Sequence, residues 1–171
     1  MRLKKRYKIF FAIPFDAFTY NTYKRIIARI QSYQNGIECV IGKETINPNL
    51  KINDIQTFKN QNDELFRLLV KQIKEAEIVI ADLTNNNPNV HIELGIAMSY
   101  NKNILRLCGR ELKEVGFDIS GFDIGKYKNE NDLFNKIKNY LAIFIKIKNL
   151  NYVSDKQFCY RDPTQRNIVS S

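Results

Sequence analysis

The chain has 171 residues, 44% of them apolar, 12% aromatic and 26% charged, the balance of a folded globular domain, which excludes disordered, collagen-like and coiled-coil classes. Its 27 Lys and Arg against 18 Asp and Glu give a formal charge of +9; this favours polyanionic partners, yet the basic residues are scattered and read as a general cationic surface, with a nucleic-acid face as the alternative. A single histidine, His91, and three widely spaced cysteines, Cys39, Cys108 and Cys159, exclude a two-histidine zinc motif, a histidine-rich metal cluster and a disulfide framework, so no metal or cofactor is expected and a reducing cytoplasm is the expected setting.

The stretch Met1-Arg2-Leu3-Lys4-Lys5-Arg6 leads into a short apolar run, Tyr7 to Ile13, with no small-residue cleavage site. It reads as a first buried strand, ended by Pro14, and no stretch approaches the roughly 20 apolar residues of a membrane span. Tyr23, Ile26, Ile27, Ile30 and Tyr33 recur at helical spacing and stop before Asn35-Gly36, which predicts a first helix. A second strand is expected from Ile37 to Ile41. The polar stretch Gly42 to Asn60 then reads as a long connection of the kind that covers a site. Asn62-Asp63-Glu64 is expected to open the next helix, whose apolar stripe is Leu65, Phe66, Leu69, Ile73 and Ala76. Ile78 to Ala81 predicts a third buried strand, Asn89 to about Tyr100 a third helix, and Ile104 to Cys108 a fourth strand. Val115 to Tyr127 reads as a loop entering a short edge strand. Leu133, Phe134, Ile137, Tyr140, Leu141, Phe144 and Ile145 predict a last helix behind an Asn131 cap. Periodicity ends near residue 149, so residues 1–149 are expected to form one domain and residues 150–171 a C-terminal arm. Strands alternating with helices require crossovers, which predicts a mostly parallel sheet of about five strands covered on both faces.

In such sheets ligands bind at the carboxyl ends of the strands. Two stretches lie there: Pro14-Phe15-Asp16 after the first strand, and Asp82 to Asn89 after the third. No Gly-rich dinucleotide or P-loop pattern is present, which excludes those phosphate-binding turns. Glu93 shares a helix face with Val90, Leu94 and Ala97, the side that packs on the sheet, so a carboxylate there needs a reason. The alternative is an acid favoured by the start of a helix. Gly95 is costly inside a helix and is read as making room for a ligand, such as a sugar ring. Asp82 reads equally as a turn-capping residue, His91 as a satisfied histidine, and Asn85, Asn86, Asn87 and Asn89 as turn and cap formers whose amides could also hold ribose hydroxyls.

The string Ala81-Asp82-Leu83-Thr84, three Asn, Pro88-Asn89-Val90-His91-Ile92-Glu93-Leu94-Gly95-Ile96-Ala97 resembles the signature of the nucleoside 2-deoxyribosyltransferase-like superfamily. Phe10 to Asp16 is similar to the first strand and loop of these proteins, and Val115-Gly116-Phe117-Asp118-Ile119 with Tyr127 to a later segment. The resemblance covers roughly positions 7 to 145. It implies a flavodoxin-like three-layer sandwich and cleavage or transfer of an N-glycosidic bond in a nucleoside, nucleotide or NAD. Glu93 would then be the nucleophile and Asp82 the group that positions or protonates the leaving base. Pro14, Phe15, Asp16, Thr84, Asn87, Asn89 and Gly95 would surround the substrate, and a homo-oligomer would complete the pocket. Ile92 stands where these proteins often carry an aromatic residue, and Met98 where a histidine often stands. Those departures imply an altered sugar pocket and keep open a nucleotide-sensing module without catalysis. The superfamily also resembles TIR-like domains that cleave NAD, and its bacterial members often serve in anti-phage defence.

Overall fold

The computed structural model describes residues 7–33, 36–42, 55–109 and 123–158, with side chains for all of these except 55–62 and 147–158. In chain order the elements are β1 (Tyr7–Ala12), α1 (Ala17–Tyr33), β2 (Ile37–Ile41), α2 (Ile55–Glu75), β3 (Ile78–Asp82), α3 (Pro88–Ser99), β4 (Asn103–Cys108), β5 (Gly125–Lys126) and α4 (Glu130–Phe158). The sheet runs β2-β1-β3-β4-β5, every neighbouring pair parallel, which is the flavodoxin-like order.

β1 and β3 are buried along nearly their whole length, which is why they read as continuous apolar runs without alternation. Alternation survives in where the side chains go. Phe10, Ala12, Val79 and Ala81 join Ile73 of α2, Ala76 just after it, and Val90, Leu94 and Ala97 of α3 in one core cluster. Phe11 points the other way and meets Tyr23 of α1 edge-on, with ring centroids 5.9 Å apart. The first turns of α4 lie on that same side: the Arg29 guanidinium sits 3.8 Å over the Phe134 ring, and Tyr33 packs against Phe134 at 5.9 Å. Ala12 pairs with Ala81, so β1 and β3 end level and the loops that follow them emerge side by side.

Three boundaries differ from the sequence reading. α2 starts at Ile55, because residues 55–61 carry no Gly or Pro to stop it; Asp63 and Glu64 are therefore exposed interior positions of the helix and do not open it. Asn129, not Asn131, caps α4: its Oδ1 accepts from Asp132 N at 3.0 Å, while Asp132 Oδ2 accepts from Lys128 N at 3.0 Å. The Asn131 side chain instead accepts from Arg29 Nη1 at 3.2 Å. α4 also runs on to Phe158, past the point where its apolar periodicity ends. The chain divides into two compact units, Met1–Lys136 and Ile137–Ser171; in the second, Ile137, Leu141 and Phe144 are buried on one helical face. The expected loop over Val115 to Ile119 and most of the Gly42–Asn60 connection lie outside the described residues.

Candidate functional site

The loops after β1 and β3 meet. Pro14 is buried, Phe15 half-buried and Asp16 exposed. Asp16 Oδ1 accepts from Thr19 N at 2.9 Å and so caps α1, and its Oδ2 accepts from Asn85 Nδ2 at 3.3 Å across the crevice. Partial desolvation pushes this carboxyl up, but the hydrogen bonds from Thr19 and Asn85 outweigh it and hold it below its ordinary value. The asparagine run has distinct local duties. Asn87 caps α3, its side chain accepting from Asn89 N at 2.9 Å ahead of Pro88 in the first turn. Asn86 adopts a left-handed φ of 47°, which asparagine tolerates, and its Oδ1 lies 2.6 Å from His91 Nε2. His91 is thus a satisfied residue in the described chain. The side chain of Asn89 is exposed.

Asp82 ends β3 in phase with Ile78 and Ile80, on the α1 side of the sheet, and is fully buried. Its Oδ2 accepts from Tyr23 OH at 2.9 Å and from Tyr127 OH at 2.9 Å. Its Oδ1 accepts from Thr84 N at 2.9 Å and from Thr84 Oγ1. Thr84 Oγ1 in turn accepts from Gly109 N at 2.8 Å and lies 3.0 Å from Tyr127 OH. Four donors satisfy the carboxylate, and the network ties together α1, the end of β3, the end of β4 and the residue after β5. Burial first, and then the adjacent Asp82 charge, push both the Tyr23 and Tyr127 phenols well above their ordinary values, so both stay protonated.

Glu93 is treated in the opposite way. It lies in the second turn of α3, on the far face of the sheet from the Asp82 side chain, and is 3% exposed. Its Oε2 is buried and has no hydrogen-bond partner among the described residues. Its Oε1 is seated against Gly42, the residue after β2, where a Cβ would lie 2.6 Å from it, with Phe10 Cζ beside it. Burial in this apolar surrounding raises the carboxyl from 4.5 to about 8, because nothing opposes the loss of water. The group can therefore hold a proton at neutral pH, or act as a poorly solvated anion once the proton leaves.

The structure thus brings Pro14, Phe15, Asp16, Thr84 and the asparagines to one edge of the sheet, and sends Asp82 and Glu93 to its two faces. Gly95 is exposed on the side of α3 turned away from the sheet, and a Cβ placed on it meets nothing within 4 Å among the described residues. Ile92, 51% exposed, and Met98, 40% exposed, point outward as well. Beside Tyr23 and Tyr127 opens a groove of about 180 Å³, well under the roughly 300 Å³ at which ordinary small-molecule pockets begin. No group of three or more metal-ligating side chains occurs among the described residues, and no described helix is long and apolar enough to cross a membrane.

Sequence reasoning missed Tyr23 as a donor to Asp82, and Gly42 altogether. The first had a signal: a tyrosine in an apolar stripe carries a hydroxyl that needs a buried partner. The second had none, because no motif or periodicity marks Gly42.

No protein-family model and no curated protein matches the chain. Among solved structures the fold matches a 2-deoxyribosyltransferase from the psychrotolerant bacterium Bacillus psychrosaccharolyticus, with a TM-score of 0.53 and 16% identity over 75% of this chain and 90% of that one. It also matches a conserved protein from Enterococcus faecalis V583, at TM-score 0.52 and 17% identity over 79% and 99% of the two chains. The CMP N-glycosidase BcmB of Clostridium botulinum aligns at TM-score 0.49 and 22% identity over 78% and 99%. At such identities the likeness is one of architecture: the chain has the α/β flavodoxin-like fold seen in a 2-deoxyribosyltransferase.

Proposed function

We propose that the chain cleaves or transfers the N-glycosidic bond of a nucleoside or nucleotide, with Glu93 as nucleophile. The observation that carries the reading is the Glu93 carboxylate, buried in an apolar surrounding with Oε2 unpartnered among the described residues. A carboxylate kept for architecture is satisfied, as Asp82 is; one held dry and unpaired costs stability and is suited to meeting a ligand. The fold shared with a 2-deoxyribosyltransferase supports the same reading, as does the resemblance of the Asp82-to-Ala97 string.

In this scheme ionised Oε2 attacks the anomeric carbon as the C–N bond breaks. The bonding electron pair leaves with the base, which takes up a proton, and a glycosyl ester remains on Glu93. Water opens the ester in a hydrolase; an acceptor base opens it in a transferase. The desolvated anion also opposes the positive charge that builds on the sugar in the transition state, at a place where water does not screen it. Asp82 serves as a positioning group. Its oxygens are occupied by Tyr23, Tyr127 and Thr84, which fixes the start of the loop that leads to α3. The side-chain amides of Asn85, Asn87 and Asn89 supply donors for sugar hydroxyls, and Pro14, Phe15 and Asp16 border the same crevice.

The test is incubation of the protein with a panel of nucleosides, nucleotides and NAD, with free base read by chromatography. Wild type releases base from at least one member, and Glu93→Gln, folded by circular dichroism, releases none. Equal release by both proteins removes Glu93 from the chemistry. Tight calorimetric binding without release across the panel would make the chain a nucleotide sensor.

A further inference from the structure

Gly42 follows the last residue of β2 and is buried. Two reasons ordinarily require a glycine: a left-handed backbone, or a neighbour too close for a side chain. The first does not apply, because among the described glycines only Gly36 has a positive φ, of 95°. Alanine would therefore fit the Gly42 backbone. It fails on its neighbours: a Cβ there would stand 2.6 Å from Glu93 Oε1, 3.3 Å from Glu93 Cδ and 3.0 Å from Phe10 Cζ. The two contacts with Glu93 involve the very group whose other oxygen, Oε2, is left unpartnered. One carboxylate oxygen is thus backed against main chain, and the other is buried without a hydrogen-bond partner among the described residues.

We propose that Gly42 is a positioning residue for Glu93: its missing side chain is the seat of Oε1, and that seat fixes the plane of the carboxylate and presents Oε2 to the substrate. The proposal rests on Glu93 being the nucleophile. A methyl group at position 42 moves the carboxylate by a distance comparable to the misplacement that costs roughly a hundredfold in rate when reacting atoms must be aligned. It does so without contacting the sugar or the base, so the loss falls on kcat and not on KM.

Two measurements test this. The first is a double-mutant cycle in urea, at one pH, of Gly42→Ala and Glu93→Ala. Gly42→Ala lowers the unfolding midpoint in the wild-type background and lowers it little or not at all once Glu93 is truncated, because the clash has gone. Equal losses in both backgrounds, or relief only when Phe10→Leu is combined with Gly42→Ala, would assign Gly42 to ordinary core packing and overturn the proposal. The second is base release by Gly42→Ala at a pH where it is folded: kcat falls about a hundredfold with KM within a fewfold of wild type, and the pH midpoint of kcat/KM moves. Unchanged kcat and pH midpoint despite a coupled cycle would show a contact without a positioning role, and would also overturn it. If wild type releases no base from any substrate, the nucleophile reading fails by itself, while the cycle still decides whether Gly42 seats Glu93.

Discussion

Replacing Glu93 with glutamine removes one ionisation and almost no volume, which makes the pH dependence of stability a direct reading of the site. Below pH 4.5 the carboxyl is neutral in the folded and in the unfolded chain, so wild type and Glu93→Gln differ only by a constant set by the buried amide. As pH rises through 4.5 the unfolded chain ionises while the folded chain keeps the proton until about 8. A folded pKa above the unfolded one means stability that is complete at low pH and lost across that window. At about 1.4 kcal/mol for each tenfold change in proton activity, the rise from 4.5 to about 8 corresponds to roughly 5 kcal/mol, a large part of the 5–15 kcal/mol total of an ordinary domain. The glutamine variant has no such loss. Its advantage over wild type grows from near its low-pH constant to several kcal/mol by pH 9. With no tryptophan in the chain, urea unfolding followed by far-ultraviolet circular dichroism at four pH values between 4.5 and 9 is the measurement. A difference between the two proteins that stays flat across this range refutes the buried, unpaired state of Glu93. The same titration sets the sign of the rate profile. A nucleophile must be ionised, so kcat/KM climbs with pH and levels off above about 8; a general acid at this position would give a profile that falls through the same region.

Asp82→Ala strips the acceptor from Tyr23 OH, Tyr127 OH and Thr84 N, and at roughly 1–3 kcal/mol for each buried donor left unpaired it costs more than about 3 kcal/mol; Tyr127→Phe removes one donor and costs about 1 kcal/mol, and equal costs in urea would contradict the network. Gly95→Ala stabilises by about 0.5–1 kcal/mol, since the helix interior gains propensity and the new methyl group meets nothing within 4 Å; a lower melting temperature would return Gly95 to a close-contact role. Asn87→Ala costs about 1 kcal/mol through the lost cap of α3, seen as faster hydrogen exchange in the first turn of that helix with the sheet amides unaffected.

Much of the architecture was legible because it is carried by local patterns. The unbroken apolar runs of β1 and β3 announce strands covered on both faces, and their alternation with helical stripes forces a parallel sheet. Glu93 was legible for the same reason: its spacing from Val90 and Ala97 puts it on the inner face of α3 whatever the rest of the chain does. What escaped are contacts between residues far apart in sequence. Tyr23 and Asp82 are separated by 59 residues, and the space that Glu93 needs is provided by a glycine just after β2. The start of α2 misled because acids mark a helix opening only when the residues before them break the helix, and residues 55–61 do not.

Asp82 and Glu93 belong to one twelve-residue stretch, and the sheet treats them as opposites. Strand alternation sends Asp82 toward α1, where four donors hold it. The turn that follows is pinned to β4 by Leu83 N donating to Leu107 O at 2.8 Å and closed by Asn86 N donating to Leu83 O at 3.1 Å. It carries the chain over the edge of the sheet to α3, whose second turn delivers Glu93 to the other face with Oε2 unpartnered among the described residues. The turn is therefore anchored at one end by the Asp82 network and at the other by the Asn87 cap, and the position of Glu93 depends on both. This separates two roles for Asp82 that a simple loss of activity would confuse. Asp82→Asn keeps an acceptor for Thr84 and weakens the hold on the two tyrosines, so it lowers kcat by shifting the turn and α3. It leaves the ascending limb of the pH profile in place, because that limb belongs to Glu93. If Asp82 instead donated the proton to the departing base, the same substitution would delete a descending limb present in wild type and leave Tyr127→Phe without effect on the rate. Rate profiles of wild type, Asp82→Asn and Tyr127→Phe between pH 5 and 9 therefore decide the point: parallel losses in the two variants, with one unchanged midpoint, identify a carboxylate that acts through the architecture it holds.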